Sequence, residues 1–168
     1  MKIREISVRD VRFPTSLDNL GTDAVHVDCD YSATYVVIST SDPNLTGYGI
    51  SFTIGKGNDL CVKALDHFIP LFEGRDISEI ERDMHHFWRQ CTNHSQLRWV
   101  GPEKGVIHLA VAALFNALWD IVSKFHHKPL WKYILELDVE ELLNKLTFSY
   151  LEDVITKEEA SAIIKEKR

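Results

Sequence analysis

The sequence predicts an α+β fold in which a three-stranded antiparallel meander precedes a helical subdomain. Apolar residues alternate with polar ones up to residue 53, and the hydrophobic period changes to about 3.6 from residue 58. A long apolar segment rich in alanine follows near the middle of the chain, which is typical of a buried helix. These observations fix the order of the predicted elements, with strands first and helices second.

The predicted strands lie in the first third of the chain. They are rich in β-branched and aromatic residues and cover residues 6–13, 35–40 and 48–53. Within the first strand the alternation slips between Val8 and Val11, which predicts a β-bulge near residues 9–10. Pro14 ends that strand because proline has no N–H to donate to a neighbouring strand. Turn residues at 41–47 join the second strand to the third.

A long loop, Thr15 to Tyr31, connects the first two strands and is called the lid below. Its seventeen residues include four aspartates and no lysine or arginine. Loops of this length between neighbouring strands are uncommon, and they are usually functional lids or disordered linkers. Large apolar side chains favour the first alternative, since a linker is poorer in them. These side chains are Leu17, Leu20, Val25, Val27 and Tyr31.

Two amphipathic helices are predicted after the strands. Asn58 or Asp59 can cap the first of them, and Gly74 ends it. Asp76 and Glu79 form a capping-box-like pair at the start of the second. Both helices carry one apolar stripe, so each is expected to pack one face against the core.

The alanine-rich helix is predicted to begin at Pro102, because a proline in the first helical turn leaves no hydrogen bond unmade. Large apolar residues occupy one face of this helix, and Ala110, Ala113 and Ala117 occupy another. Small side chains allow a neighbouring element to approach closely, and apolar residues all round predict a buried helix. A short further helix is predicted at residues 128–135.

The last part of the chain predicts a single β–α unit. Residues 145–150 have the pattern of a strand, and Thr156 with Glu159 forms a capping box at the start of a helix. One parallel strand with one helix cannot bury its own faces, because parallel strands need neighbours and covering helices. The unit therefore resembles the first step of an incomplete TIM-like barrel.

Composition narrows the class of protein. A formal net charge of −6 argues against a nucleic-acid-binding protein, which normally carries a basic surface. The three cysteines are far apart and odd in number, so free thiols in a reducing compartment are expected.

The apolar stretch at 109–122 is shorter than the roughly 20 residues that cross a bilayer, so no membrane association is expected. The first residues lack the apolar core of a signal peptide, and a cytoplasmic location is expected, with the mitochondrion left open.

Three strings of residues carry a resemblance to a known family. The strings are Asp10-Val-Arg-Phe-Pro-Thr-Ser-Leu, Asp30-Tyr-Ser-Ala-Thr-Tyr-Val-Val-Ile and Gln96-Leu-Arg-Trp-Val-Gly-Pro-Glu-Lys-Gly-Val. They resemble the amino-terminal part of the enolase superfamily in its mandelate racemase-like branch, and within that branch the L-fuconate dehydratases. The resemblance implies an enolase-like N-terminal capping domain at residues 1–143 and the start of a truncated (β/α) barrel at residues 144–168.

The resemblance also implies a chemistry. In this family a lysine or histidine base removes a proton next to a substrate carboxylate, Mg²⁺ stabilises the resulting ene-diolate, and the β-hydroxyl group then leaves. The implied substrate is an acid sugar such as L-fuconate, and the implied product is a 2-keto-3-deoxy sugar acid. The metal ligands and catalytic residues of the family lie on later barrel strands, so none is expected in this chain. The cap excludes water and orients the distal hydroxyl groups of the substrate.

Five residues are implied as substrate contacts by the same resemblance. Gly21 permits a tight backbone, Asp23 can accept hydrogen bonds from sugar hydroxyl groups, and Tyr31 offers a hydroxyl group and a ring. Thr22 stands where relatives often have a small residue such as alanine. Lys104, at the front of the alanine-rich helix, can meet the anionic or hydroxylated end of the substrate, since a helix start favours an anion.

Two functions stay open at this point. In the first, the chain is the cap of an acid-sugar dehydratase and is inactive alone. In the second, it is a non-catalytic interaction module that associates with a full-length subunit or another protein, because an apolar face normally covered by the barrel would be open. A metal cluster built from lid residues is not favoured, because the spacing of His26, Asp28, Cys29 and Asp30 is not typical of zinc sites.

Overall fold

The computed structural model describes residues 1–101 and 103–167. Its sheet is antiparallel and has the order β1-β2-β3, with β1 at Ile3–Arg12, β2 at Ser32–Thr40 and β3 at Thr46–Thr53. The predicted meander is therefore confirmed. Each strand begins two or three residues earlier than its hydrophobic pattern indicates.

The β-bulge predicted near residues 9–10 is wrong. The pairing of β1 with β2 is continuous over residues 5–12, and the register shifts only at the start of β1. Successive side chains of a strand point to opposite faces, so Val8 and Val11 lie on different faces of the sheet. The apparent slip in the sequence arises because the outer face of this sheet also carries apolar side chains, among them Ile50 and Phe52.

The helices that follow the sheet cover the inner face and continue to the end of the described chain. They are α1 at Asn58–Leu65, α2 at Ile77–Arg82, α3 at Met84–Thr92, α4 at Val106–Phe125, α5 at Leu130–Glu136, α6 at Val139–Asn144 and α7 at Lys157–Lys167. Short 3₁₀ turns lie at Thr15–Asp18 and Ile69–Leu71.

Helix boundaries differ from the predicted ones at three places. The first predicted helix is α-helical only to Leu65, and the second divides at Asp83 into α2 and α3. Asp76 caps α2 through the amide of Ser78 at 3.0 Å, whereas Glu79 pairs with an arginine and does not complete the capping box. The alanine-rich helix α4 begins at Val106, and Pro102 lies outside the described residues.

Helix α4 is the centre of the core and lies directly on the sheet. It packs against β2, β3, α1 and α3. A Cβ atom on Gly49 of β3 would collide with the carbonyl oxygen of Ala113, and one on Gly47 would collide with that of Ala117. The close approach predicted from the small residues of α4 is therefore confirmed. On the side of the sheet, the two glycines of β3 allow it because they have no Cβ atom.

Polar side chains of α4 bind the outer edge of β3. Asn116 donates to the carbonyl oxygen of Ile50 at 2.9 Å, and Asp120 accepts from the amide of Tyr48 at 2.9 Å. By length and composition α4 would suffice to cross a membrane, but in this fold it is the helix around which the core packs. Asn116 and Asp120, the two polar residues in this apolar stretch, thus provide hydrogen-bond partners for backbone groups at the sheet edge that would otherwise be unpaired.

Of the two elements predicted in the C-terminal region, the helix forms and the strand does not. Residues 145–150, all of them described, form turns and irregular backbone, so the predicted strand is wrong. A lone strand has no neighbour to receive its backbone hydrogen bonds, and this segment instead lies over α3 and α4. The predicted helix forms as α7, and its capping box is confirmed by Thr156 and Glu159, whose mutual hydrogen bonds measure 2.8 and 3.1 Å.

Glu81 of α2 holds the start of this region to the core. Its carboxylate accepts hydrogen bonds from Tyr133 at 2.6 Å and faces the ring of His126 at 2.7 Å, while Lys145 donates to its backbone carbonyl at 2.6 Å. Burial, followed by the hydrogen bond to Glu81, raises the pKa of Tyr133. Burial also lowers the pKa of Lys145, which lies over the cap rather than in solvent.

The cysteines are free thiols, as expected. Cys29, Cys61 and Cys91 are all buried and none forms a disulfide. Burial raises the pKa of Cys91 to about 12, so its thiol stays protonated.

Candidate functional site

The lid is closed at its base by side chains from its two ends. Thr15 donates to the carbonyl oxygen of Cys29 at 3.0 Å and accepts from the amide of Tyr31 at 2.9 Å. Ser16 donates to the Asp30 carboxylate from both its hydroxyl group, at 2.6 Å, and its amide, at 3.1 Å. These bonds lower the pKa of Asp30. The lid therefore leaves the sheet as a narrow, hydrogen-bonded neck.

Gly21 and Tyr31, two of the predicted contacts, meet inside the lid. Gly21 has a φ of +72°, and a Cβ atom there would collide with the Tyr31 hydroxyl group. Only glycine fits such a position, since other residues rarely adopt this φ and no space remains. The Gly21 carbonyl accepts from the buried Cys29 thiol at 3.1 Å, and the Tyr31 ring packs edge-on against Phe52 at 5.3 Å.

Asp23, the third predicted contact, is already engaged within the lid. Its Oδ1 accepts from the amides of Val25 and His26, each at 2.7 Å, and its Oδ2 lies 3.0 Å from Nδ1 of the His26 ring. These hydrogen bonds, the His26 amide first, lower the pKa of Asp23 to about 2. The carboxylate is thus ionised and shapes the lid, so its role as an acceptor for sugar hydroxyl groups stays a prediction.

The remaining two predicted contacts lie apart from this cluster. The Thr22 hydroxyl group donates to the carbonyl oxygen of Asn19 at 3.0 Å, which is a local lid contact. Lys104 is exposed, has a φ of +77°, and lies two residues before the first residue of α4. Within the described residues, no recorded hydrogen bond or ion pair joins Lys104 to the lid.

A second loop, residues 54–57, lies beside the lid and is held by a buried polar network. The amide of Asp30 donates to the carbonyl oxygen of Ile54 at 3.2 Å, and the amide of Gly55 donates to the Ser32 hydroxyl group at 2.8 Å. Ser32 in turn shares a hydrogen bond with Thr53 at 2.6 Å. The positions of the lid and of this loop are therefore coupled through the ends of β2 and β3.

Asn58 is the centre of that network, and sequence reasoning missed it. Its side chain is fully buried; Oδ1 accepts from Thr34 at 2.9 Å and Thr53 at 2.8 Å, while Nδ2 donates to Asp10 and to the Ala33 carbonyl. The expectation that Asn58 or its neighbour caps α1 is wrong, because the side chain of Asn58 points into the core and α1 has no side-chain cap. In the sequence, nothing distinguishes an asparagine that caps a helix from one whose side chain is buried between two strand ends and the start of a helix.

Two cavities flank the lid. One of about 380 Å³ lies between the lid and the loop at 54–57, and one of about 330 Å³ lies between the lid and β3. His26, Cys29 and Ile54 line both of them. Together they are large enough for a small polar molecule, although they are open to solvent.

A magnesium ion is implied by the resemblance, but the carboxylates described here do not fit one. No group of three potential ligands among His, Cys, Asp and Glu could hold a metal ion anywhere in residues 1–101 and 103–167. The carboxylates of Asp23 and Asp30 accept hydrogen bonds from amides and a hydroxyl group of the lid itself. Hard divalent cations need several oxygen ligands converging on one point.

Comparison with known proteins decides the family. Residues 21–134 match the N-terminal domain of the mandelate racemase / muconate lactonizing enzyme family. The chain belongs to this family. The matched segment includes most of the lid, β2, β3 and helices α1 to α4.

Relatives with high sequence identity to this chain are much longer than it is. Mitochondrial enolase superfamily member 1 of Bos taurus is 47% identical over 99% of this chain, which covers 38% of the bovine protein. L-galactonate dehydratase of Hypocrea jecorina is 45% identical over 95% of this chain and is covered to 35%. The crystal structure of human mitochondrial enolase superfamily member 1 superposes with a TM-score of 0.93 at 46% identity, with 98% of this chain and 38% of the human chain covered.

A solved structure of lower sequence identity shares the fold. An L-talarate dehydratase from Polaromonas, crystallised with Mg and L-glucarate, matches with a TM-score of 0.59 at 18% identity. The sheet and the helices that cover it thus have the fold of the enolase-superfamily N-terminal capping domain, and the chain spans less than two fifths of the length of these relatives.

Proposed function

We propose that this chain is the cap and substrate-specificity part of a Mg²⁺-dependent acid-sugar dehydratase that acts in the manner of L-fuconate dehydratase. The main support is its 45% identity to an L-galactonate dehydratase over 95% of the chain, which includes the lid. The lid has the build expected of such a part, since a polar neck fixes its base and two cavities open beside it. The substrate is a sugar acid, and the product is a 2-keto-3-deoxy sugar acid.

The residues of this chain supply positioning and exclusion of water. Gly21, Tyr31 and Cys29 keep the lid folded against β3, and the loop at 54–57 supports it from the other side. No cluster of ligands within the described residues would hold Mg²⁺, so the groups that bind the metal would have to come from outside this chain, and the metal would supply stabilisation of negative charge on the substrate. The contribution of this chain would be to displace water from the site.

A fusion protein tests this function. Residues 1–168 are joined to the part of the bovine relative that follows the matched segment, and the formation of 2-keto-3-deoxy product is measured with L-fuconate and L-galactonate. We expect turnover by the fusion and none by the 168-residue chain alone. A folded fusion that dehydrates neither acid contradicts the proposal, and turnover by the isolated chain contradicts the assignment of catalysis to the barrel.

A second function is favoured by the exposed apolar side chains. Tyr48, Ile50 and Phe52 lie on the outer face of β3 with about half of each side chain exposed, and Trp99 is more exposed still. Apolar surface of this kind often marks a site of association. In this alternative the chain is a non-catalytic module that binds a full-length subunit. Co-elution with the bovine relative on size exclusion would support it, and separate elution at micromolar concentrations would contradict it.

A further inference from the structure

A cavity of about 390 Å³ lies away from the lid, between α3, α4 and the segment that begins at Lys145. The residues that line it fall at 84–88, 112–119 and 145–147, all of them outside the lid and outside the loop at 54–57. Its volume is in the range of sites for small molecules, which are mostly apolar and carry a few polar groups. The function proposed above makes no use of this cavity.

The walls of the cavity are largely aromatic. Trp88 of α3 and Trp119 of α4 line it with partly buried side chains, together with Phe115, which is 4% exposed. Trp88 packs edge-on against Phe115 with ring centroids 5.1 Å apart, and Trp119 packs against Tyr133 at 6.4 Å. These contacts hold both indole rings in place. A planar ring that enters the cavity would therefore meet aromatic surfaces that are already positioned.

Two basic side chains line the same cavity. Lys145 donates one hydrogen bond from Nζ, to the carbonyl oxygen of Glu81 at 2.6 Å, so two of its three N–H donors remain. His85 takes part in no recorded hydrogen bond among the described residues. Burial lowers the pKa of both side chains. The cavity thus combines aromatic walls with hydrogen-bond donors that are still available.

The charges near His85 favour an anion. Arg89 and Lys157, followed by His86, act on the His85 ring in the direction that lowers its pKa, after the effect of burial. Positive charges therefore surround this side of the cavity, and like charges at short range repel a cation.

The acidic side chains near Lys145 already have partners. Glu81, Glu141 and Asp83 act on Lys145 in the direction that raises its pKa, although burial outweighs them. The groups that pair with these three carboxylates are, in the same order, Tyr133 with His126, the amide of Asp138, and Arg82. The two free donors of Lys145 thus remain for a ligand.

We propose that this cavity binds a small aromatic carboxylate, with its ring against Trp88 and Trp119 and its carboxylate on the amine of Lys145. A carboxylate accepts charge-assisted hydrogen bonds from an amine, and these are stronger than the bonds of a neutral acceptor. The site is separate from the lid and does not depend on the dehydratase function.

Three probes that share an indole ring and differ in charge test the proposal on the 168-residue chain. Indole-3-acetate is an anion, indole-3-acetamide is neutral and tryptamine is a cation. In nitrogen-15 NMR, indole-3-acetate should shift the indole N–H signals of Trp88 and Trp119 saturably at millimolar concentrations or below. The amide should bind about tenfold more weakly, and tryptamine should not bind. Trp99 and Trp131, which are 77% and 65% exposed and lie outside the cavity, are internal controls.

Two variants separate the charge from the shape of the cavity. Lys145→Met keeps the length of the side chain and removes its charge, so the affinity for indole-3-acetate should fall about tenfold while that for the amide is unchanged. Lys63→Met, on α1 with its side chain 81% exposed, is the control. Because Lys145 also holds its own segment to Glu81, Ala112→Leu provides an independent test. It fills the cavity from α4 and should abolish binding of both compounds, while circular dichroism shows that the helices remain.

Shifts at Trp88 and Trp119 that depend on the carboxylate and on Lys145 would support the proposal. Equal binding of the acetate and the amide, an unchanged affinity in Lys145→Met, or no shift at millimolar concentrations would overturn it. Binding that survives in Ala112→Leu would place the ligand elsewhere and would overturn it as well.

Discussion

The lid and the layer formed by β3 and α4 are held by opposite means. Between β3 and α4 the backbones approach so closely that Gly47 and Gly49 leave no room for a Cβ atom, and most of α4 is buried. The lid has few buried side chains and is shaped by hydrogen bonds of Thr15, Asp23 and Asp30. Apolar packing thus determines the structure of the layer formed by β3 and α4, and hydrogen bonds determine the structure of the lid. The lid can therefore change its sequence and its ligand without endangering the fold.

The largest expected contrast comes from the same substitution made in each region. Leu114 of α4 is 0% exposed, whereas Leu17 of the lid is 79% exposed. Leu114→Ala should lower the free energy of unfolding by about 4 kcal/mol, because a buried cavity is created. Leu17→Ala should lower it by less than about 0.5 kcal/mol. Urea unfolding followed by tryptophan fluorescence measures both, and equal losses would contradict the comparison.

The next effect concerns the close approach of the sheet and helix. Gly49→Ala places a Cβ atom against the backbone of Ala113, which has no flexible end that could move aside. We expect a loss of about 3 kcal/mol, in the range of overpacked cores. Ile50→Val, one residue along on the outer face of the same strand, is the control and should cost far less. A stable Gly49→Ala variant with native circular dichroism would show that α4 can shift away from the sheet.

Removal of the buried amide that couples the two loops should have a smaller effect. Asn58→Ala leaves the hydroxyl groups of Thr34 and Thr53 without their shared acceptor. Buried groups without partners cost roughly 1–3 kcal/mol, so we expect a loss of about 2 kcal/mol. Faster amide exchange at Gly55 should accompany it, since that loop depends on the network. Asn44→Ala, in an exposed turn, is the control, and the same exchange rate in both variants would argue against the coupling.

The smallest effect is local and depends on pH. The pKa of Asp23 is about 2 in the folded chain and about 4 in an unfolded one. A carboxyl group with a depressed pKa stabilises the fold above its ordinary pKa, and that contribution is lost as the pH falls towards the folded value. Between pH 4 and 2 the amides of Val25 and His26 should therefore lose protection first. Asp23→Asn should remove this pH dependence while the amides of α4 stay protected; a uniform loss across both regions would contradict a local effect.

Sequence periodicity was sufficient for the elements that packing determines. The meander, the length of the lid and the buried character of α4 follow from apolar spacing. Ala113 and Ala117 already indicated the close approach to the sheet, although Gly47 and Gly49 on β3 were not recognised as its other side.

The differences arise where contacts distant in sequence determine a local structure. Asn58 has the sequence of a helix cap, but Thr34 and Thr53 draw its side chain into the core. Residues 145–150 have the composition of a strand but no neighbouring strand on which to pair. In the lid, the pairing of His26 with Asp23 was not predicted, because it depends on the path of the backbone between them.

The most direct test of the division between lid and core is a lid deletion in the fusion protein. Residues 16–30 are replaced by a two-residue Asn-Gly turn that joins β1 to β2, and both stability and dehydration of L-fuconate and L-galactonate are measured. We expect the free energy of unfolding to stay within about 1 kcal/mol of the unmodified fusion, because the lid contributes little burial, while dehydration falls at least a hundredfold. Dehydration that survives the deletion, or a fusion that no longer folds, would contradict the account.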